Sequence, residues 1–216
     1  MVRGIEGNRI VTDDDDRHLF VSRLGIAAAA TGTKIYAWAL MTNHAHLLLK
    51  SGGSGLPIFM RKFLTGYAIL YNRRHFRNGH LFQNCYKSII CEEELYFLKL
   101  VSYIHLNPLR AGLVDSLEEL LHYPWSGHAT VINRINRDWQ DREYVLHYFG
   151  KNEREAQRAY LQFVLEQSSL GKQSELSEGG LVCSAGGWLV VVISSRIIDS
   201  VTPSVRALIF MRNTGG

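Results

Sequence analysis

The chain has 216 residues, of which 46% are hydrophobic, and its formal net charge is +4. This length suffices for one well-buried domain with an appendage, but not for two large domains. Its three cysteines form no Cys-x-x-Cys pair, so they indicate neither a disulfide scaffold nor a structural zinc site. The N-terminus has no apolar signal core, and the longest apolar stretch, 181–193, is too short to span a bilayer. We therefore expect a cytoplasmic protein.

The first third of the chain predicts helices and a β-hairpin. The aspartate run 13–16 supplies a cap and first-turn acids for a helix from about 14 to 30. Two runs rich in apolar residues, 34–40 and 44–50, are separated by three residues and predict two hairpin strands. After a glycine-rich loop, apolar residues near helical period predict a second helix from 58 to 74.

The remaining elements complete the predicted fold class. A strand is expected over 82–91, and a third helix begins with the acids 92–94 and is stopped by Pro108. This order favours an α+β sandwich in which helices pack on an antiparallel sheet, with a C-terminal helical extension. The expected divisions are a domain at 1–130, a helical extension at 131–168, and a Gly/Ser-rich linker with a divergent tail at 169–216.

A long acid-free segment indicates a polyanionic partner. No Asp or Glu lies between Asp16 and Glu92, whereas ten cations do. Four aromatic residues are interleaved with these cations and are candidates for stacking on bases, although the helical spacing of Tyr67 and Tyr71 favours a core role for that pair. The other two aromatic residues are Phe76 and Phe82. We expect phosphate contacts from Arg61, Lys62, Arg73, Arg74, Arg77 and Lys87.

Two histidines form the first chemical signal. His44 and His46 are two residues apart on a predicted strand, so they share one face and could present two imidazoles to a divalent ion. Spacing alone leaves open that they are polar residues on a solvated face. The following run 47–49 is wholly leucine and argues for a central strand, where an unpaired imidazole would be costly.

The second signal lies at the end of the third helix. Tyr103 and Asn107 are one helical turn apart, so a nucleophile and a metal ligand could lie together. Spacing alone instead favours a core tyrosine and a helix cap. His105 points away from that pair on a helix, and we expect it at the surface or facing DNA.

Taken together, the motifs resemble the REP-associated tyrosine transposases, which belong to the histidine–hydrophobic–histidine (HUH) class. The similarity is ordered along the chain and covers about residues 2–126. The segments that carry it are Met41-Thr42-Asn43-His44-Ala45-His46-Leu47-Leu48-Leu49, Gly79-His80-Leu81-Phe82-Gln83, Tyr103-Ile104-His105-Leu106-Asn107-Pro108-Leu109-Arg110-Ala111-Gly112-Leu113-Val114 and Tyr123-Pro124-Trp125-Ser126.

The resemblance implies a ferredoxin-like α+β domain and a transposase that cuts and rejoins single-stranded DNA through a 5′-phosphotyrosine. Tyr103 would be the nucleophile, and His44, His46 and Asn107 would hold Mg²⁺ or Mn²⁺. The implied partner is single-stranded DNA that forms hairpins, bound by a monomer or homodimer at the nucleoid. The sequence departs from the pattern in two places: it starts within the family's first strand, and Cys85 stands where such proteins often carry arginine.

Two alternatives remain. One is a catalytically inactive or domesticated protein that only binds single-stranded nucleic acid, which would have no use for a histidine pair together with a tyrosine nucleophile. The other is a metal-dependent nuclease that activates water. It would need carboxylate ligands that the acid-free segment does not supply.

Overall fold

The structure is a computed structural model that describes residues 9–82, 87–91, 94–170 and 188–194. Cys85 and the acids at positions 92 and 93 lie outside the described residues. The elements are α1 (Asp14–Thr31), β1 (Lys34–Leu40), β2 (His44–Lys50), α2 (Leu56–Arg74), β3 (Lys87–Cys91), α3 (Glu94–His105), α4 (Asn107–Arg110), α5 (Leu117–His122), α6 (His128–Val131), α7 (Arg142–His147), α8 (Glu153–Ser169) and β4 (Trp188–Ser194).

The ends of α1 follow from local chemistry. The side chain of Asp13 accepts a hydrogen bond from the backbone N–H of Asp16 and caps the helix, which confirms the predicted start. Gly32 ends the helix in the left-handed conformation, with φ of 65°, where a side chain would be strained.

The hairpin predicted over 34–50 is confirmed. β1 and β2 pair antiparallel from Lys34 opposite Lys50 to Leu40 opposite Ala45, with a register shift between residues 35 and 37. The turn closes with a hydrogen bond of 2.8 Å from the backbone N–H of Met41 to the carbonyl of His44.

A four-stranded sheet with the order β1-β2-β4-β3 forms the centre of the fold. β4 runs antiparallel to both of its neighbours, with Val191 opposite Leu47 on one side and Ser88 on the other. The strand therefore lies between β2 and β3, although its residues were predicted to belong to the divergent tail. The predicted fold class, an antiparallel sheet with packed helices and a C-terminal helical extension, is confirmed.

Helices cover both faces of the hairpin strands because side chains alternate along β2. Leu47 and Leu49 belong to a core with α1 and α2, in which Phe20, Phe63 and Tyr67 are fully buried. Leu48 belongs to a second core with Tyr36 and Met41, which α3, α7 and α8 close from the opposite face. His46 alternates with Leu47 and so shares the face of Leu48.

The C-terminal helices are integral to the second core. Val145 of α7 and Tyr160 of α8 are fully buried in the same cluster as Phe97 and Ile104 of α3. The expected boundary near residue 130 lies inside α6. Among the described residues, no helix combines the length and apolarity needed to cross a membrane.

Candidate active site

The candidate site lies at the end of the sheet where β1 turns into β2. His44 and His46 begin β2, and their ring centroids are 4.9 Å apart. α3 crosses the same face, and the ring of Tyr103 stands 6.1 Å from that of His46, nearly perpendicular to it. The structure therefore brings together the two predicted metal ligands and the predicted nucleophile, which are 57 residues apart in the sequence (His46 to Tyr103).

Asn43 orients His44. Its side-chain oxygen lies 2.7 Å from His44 Nδ1. An amide oxygen can only accept a hydrogen bond, so Nδ1 is the donor. This contact selects the tautomer protonated at Nδ1 and leaves a lone pair on Nε2, an arrangement common for metal-binding histidines.

Both imidazoles are neutral at physiological pH. Burial lowers the pKa of His44, and burial with the neighbouring His44 lowers the pKa of His46 to about 3. A divalent ion requires the unprotonated lone pair, so these histidines fit the role of metal ligands.

Tyr103 is half-buried beneath a cation. The guanidinium of Arg110 lies over its ring, 5.3 Å from the centroid. Burial raises the pKa of the Tyr103 phenol, and the Arg110 charge opposes that rise. The resting phenol is protonated, and the adjacent cation favours the phenolate that forms when the proton leaves.

Arg110 has spare hydrogen-bonding capacity. Its Nη1 is buried and lacks a hydrogen-bond partner within the described part of the chain, whereas Nη2 lies 3.5 Å from the carbonyl of Gln167. A buried guanidinium donor without an acceptor is costly, and a phosphate oxygen would satisfy it.

Asn107 opens α4, one residue before Pro108. Its Nδ2 donates a 3.0 Å hydrogen bond to the carbonyl of Tyr103, one turn earlier. This contact gives Asn107 a capping role at the end of α3 and keeps its side chain beside the tyrosine. Among the described residues, no group of three or more His, Cys, Asp or Glu side chains could hold a metal ion.

The predicted phosphate contacts are distributed unevenly. Arg61, Lys62 and Arg73 are exposed on α2, whose core-facing side packs against α1 on the sheet face opposite Tyr103. Arg77 follows α2 and lies over the ring of Tyr71, 5.8 Å from its centroid. Lys87 is the first residue of β3, and its side chain lies outside the described part of the structure.

Arg74 is engaged by carboxylates. Its guanidinium contacts Asp13 at 2.8 Å, Asp15 at 3.0 Å and the fully buried Asp16 at 2.7 Å. His75 Nε2 also reaches Asp16 at 2.9 Å. These contacts join the end of α2 to the start of α1, so Arg74 stabilises the packing of the two helices.

The expectation for His105 was wrong. His105 is fully buried, and its Nδ1 lies 2.7 Å from the hydroxyl of Tyr160. α8 packs on α3 and covers the side of the helix that was predicted to face solvent or DNA.

Two residues of the candidate site had no predicted role. Asn43 and Arg110 both lie inside quoted motif segments, but neither received a role. The available signals were a polar side chain next to a predicted ligand histidine and an arginine seven residues after the tyrosine. The prediction that Tyr67 and Tyr71 belong to the core is confirmed, since both are buried.

Residues 7–107 match the family model described as transposase IS200-like. The match spans β1, β2, both histidines and Tyr103, and it ends at Asn107. This match supports the resemblance to REP-associated and IS200-like transposases that the motifs predicted. The similarity implies transposase function with DNA as the partner. No curated protein and no solved structure matches the chain significantly.

Proposed function

We propose that this protein cleaves and rejoins single-stranded DNA by forming a covalent 5′-phosphotyrosine at Tyr103, with a divalent metal ion held by His44, His46 and Asn107. The observation that carries the proposal is the placement of Tyr103 against His46 at 6.1 Å, with His44 beside it, on one sheet face. A protein that only binds nucleic acid needs no such grouping.

The donor set suits a divalent ion. His44 and His46 supply neutral imidazoles. Asn107 supplies its amide oxygen, because its amide nitrogen donates a hydrogen bond to the Tyr103 carbonyl. Two histidines favour Mn²⁺ over Mg²⁺, whereas cellular abundance favours Mg²⁺. When bound, the ion offsets negative charge on the scissile phosphate.

Tyr103 performs the covalent step. Its phenolic oxygen attacks phosphorus as the phenol loses its proton, the bond from phosphorus to the 3′ oxygen breaks, and the departing oxygen takes up a proton to give a free 3′-hydroxyl. The product ester keeps the 5′-phosphate on the protein. A second 3′-hydroxyl can then attack the same phosphorus and release tyrosine, which is a better leaving group than an alkyl alcohol.

Arg110 supports this step through charge. Its guanidinium lies over the Tyr103 ring, and its buried Nη1 lacks an acceptor within the described residues. Donation from this nitrogen to a non-bridging phosphate oxygen would place a fixed positive charge where negative charge develops.

The substrate is held by the exposed cations of α2, Arg61, Lys62 and Arg73, together with the half-buried Arg77 that follows the helix. The strand would cross from these residues to Tyr103 at the turn end of the sheet. The substrate class is hairpin-forming single-stranded DNA, and the protein would act in the cytoplasm at the nucleoid as a monomer or homodimer.

The test is a search for the covalent adduct. The full chain is incubated with Mn²⁺ or Mg²⁺ and single-stranded hairpin oligonucleotides from the flanks of its own gene, and then resolved on a denaturing gel. We expect a protein–DNA adduct that disappears with EDTA and in Tyr103→Phe. Tyr123→Phe is the matched control, because Tyr123 is also half-buried with a pKa raised by burial, and it should keep the adduct.

Two results would contradict the proposal. An adduct that survives in Tyr103→Phe would show that another residue is the nucleophile. Salt-sensitive DNA binding without any adduct would favour the alternative of a non-catalytic binding protein.

A further inference from the structure

Phe76 is an unusual residue on the surface of this protein. Its side chain is 96% exposed, although it is one of the largest apolar side chains in the chain. Its backbone also has a φ of 50°, in the left-handed region that favours glycine. The position thus carries strain and an exposed ring, and packing compensates for neither.

The segment around Phe76 is held in a defined conformation. The backbone N–H of Arg77 donates a 2.9 Å hydrogen bond to the carbonyl of Asn72. The side chain of Asn72 in turn donates a 2.8 Å hydrogen bond to the carbonyl of Gly79. These two hydrogen bonds hold the backbone of the loop that contains Phe76, whose ring points into solvent.

Cations flank the ring. Arg73 and Arg77 stand on either side of it in the sequence, and neither forms an ion pair with any described residue. The neighbouring aspartates are engaged by Arg74 instead. An exposed aromatic ring between available arginines is the combination that binds single-stranded nucleic acid, since arginines contact phosphates while a base stacks on the ring.

The loop lies at the same end of the sheet as the candidate active site. The backbone N–H of Ile10 donates a hydrogen bond to the carbonyl of Thr42. Two residues later, the hydroxyl of Thr12 lies 3.1 Å from the hydroxyl of Tyr71. Arg77 lies over that same Tyr71 ring. Thr42 belongs to the turn that leads into His44, so these contacts connect the loop to the turn beside the candidate site.

We propose that Phe76 stacks on a base of single-stranded DNA and, with Arg73 and Arg77, holds the strand next to the active site. This inference rests on the proposed DNA substrate and adds the residue that contacts a base. Tyr67 and Tyr71 are buried, so Phe76 is the most exposed of the aromatic residues interleaved with the cations in the described segment 9–82.

Binding to two fluorescent probes tests the stacking. One probe is a 12-nucleotide oligothymidylate, and the other is a 12-unit abasic strand with the same phosphates but no bases. Anisotropy titrations are made with the full chain in EDTA, so that cleavage does not interfere. Phe76→Gly should weaken binding to oligothymidylate about 5- to 150-fold, the effect of losing one base–aromatic stack, and should leave binding to the abasic strand unchanged.

Control variants separate stacking from other effects. Phe76→Trp should retain the affinity, and Phe76→Leu should behave like Phe76→Gly, because leucine is apolar but has no ring. Ile69→Ala removes another exposed apolar side chain of the same region and should change neither titration. Phe76→Gly also relieves the backbone strain, so we expect this variant to fold.

Unchanged binding of oligothymidylate by Phe76→Gly would overturn the inference, as would an equal loss for both probes. The binding assay is independent of the adduct assay. If the wild-type chain binds through Phe76 but forms no adduct, the proposed function fails while the stacking role stands.

Discussion

Replacing Tyr160 by phenylalanine would remove one hydroxyl that joins two buried histidines. The Tyr160 oxygen lies 2.7 Å from Nδ1 of His105 and 2.7 Å from Nδ1 of His128. All three side chains are at most 1% exposed. A hydroxyl has one proton, so it donates to one imidazole and accepts from the other, which fixes opposite tautomers on the two rings.

The cost follows from this geometry. Phenylalanine fills nearly the same volume, so little cavity forms. Both Nδ1 atoms, however, lose their hydrogen-bond partner, and they are buried where water cannot replace it. A buried polar group left without a hydrogen bond costs about 1–3 kcal/mol, so Tyr160→Phe should lower the free energy of unfolding by about 2–6 kcal/mol.

Urea unfolding at pH 7.5, followed by circular dichroism, measures this loss. Tyr71→Phe is the control, because its hydroxyl makes a 3.1 Å contact with the exposed Thr12, where water can substitute. The control should lose only about 0.5–1.5 kcal/mol. If Tyr160→Phe loses no more than Tyr71→Phe, the two histidines do not depend on the hydroxyl and the reasoning is refuted.

Two further predictions concern stability. Burial lowers the pKa of His128 from 6.5 to about 4. Between pH 4 and pH 6.5, His128 is therefore protonated in the unfolded chain but neutral in the folded protein. The free energy of unfolding should therefore fall by about 3 kcal/mol as the pH drops from above 6.5 to 4. Urea unfolding at a series of pH values measures this dependence, which should be weaker in His128→Gln. Separately, an alanine Cβ at Gly25 would lie 2.4 Å from the Trp139 ring, so Gly25→Ala should lower the melting temperature despite the better helix propensity of alanine. Gly66→Ala, whose Cβ meets only the flexible end of Arg23, should cost less, and equal losses would argue against the packing explanation.

Local patterns predicted much of the fold. Residue types and spacing were sufficient for α1, the hairpin and α2, because a cap, a turn and a helical period each act over a few residues. The shared face of His44 and His46 followed from strand alternation in the same way. The position of Tyr103 next to His46 did not follow from spacing, which favoured a core tyrosine, and was implied by the family resemblance.

The errors and omissions involve distant segments. His105 was expected at the surface, but Tyr160 of α8 covers it from 55 residues away. The aspartates that bind Arg74, which was predicted to contact phosphate, lie about 60 residues earlier in the chain and were not foreseen. No periodicity or motif reports such contacts, since they depend on how helices dock after they form.

The central place of β4 in the sheet has a consequence for synthesis of the protein. His44 pairs with Ser194, 150 residues later, and within the described residues the ladder partner of β3 is β4. On the ribosome, the hairpin can form early. The edges of β2 and β3 that pair with β4 remain unpaired until Trp188–Ser194 has emerged. Strand edges that wait this long are open to pairing with other nascent chains, so the yield of folded protein should depend on chaperones that shield them during translation.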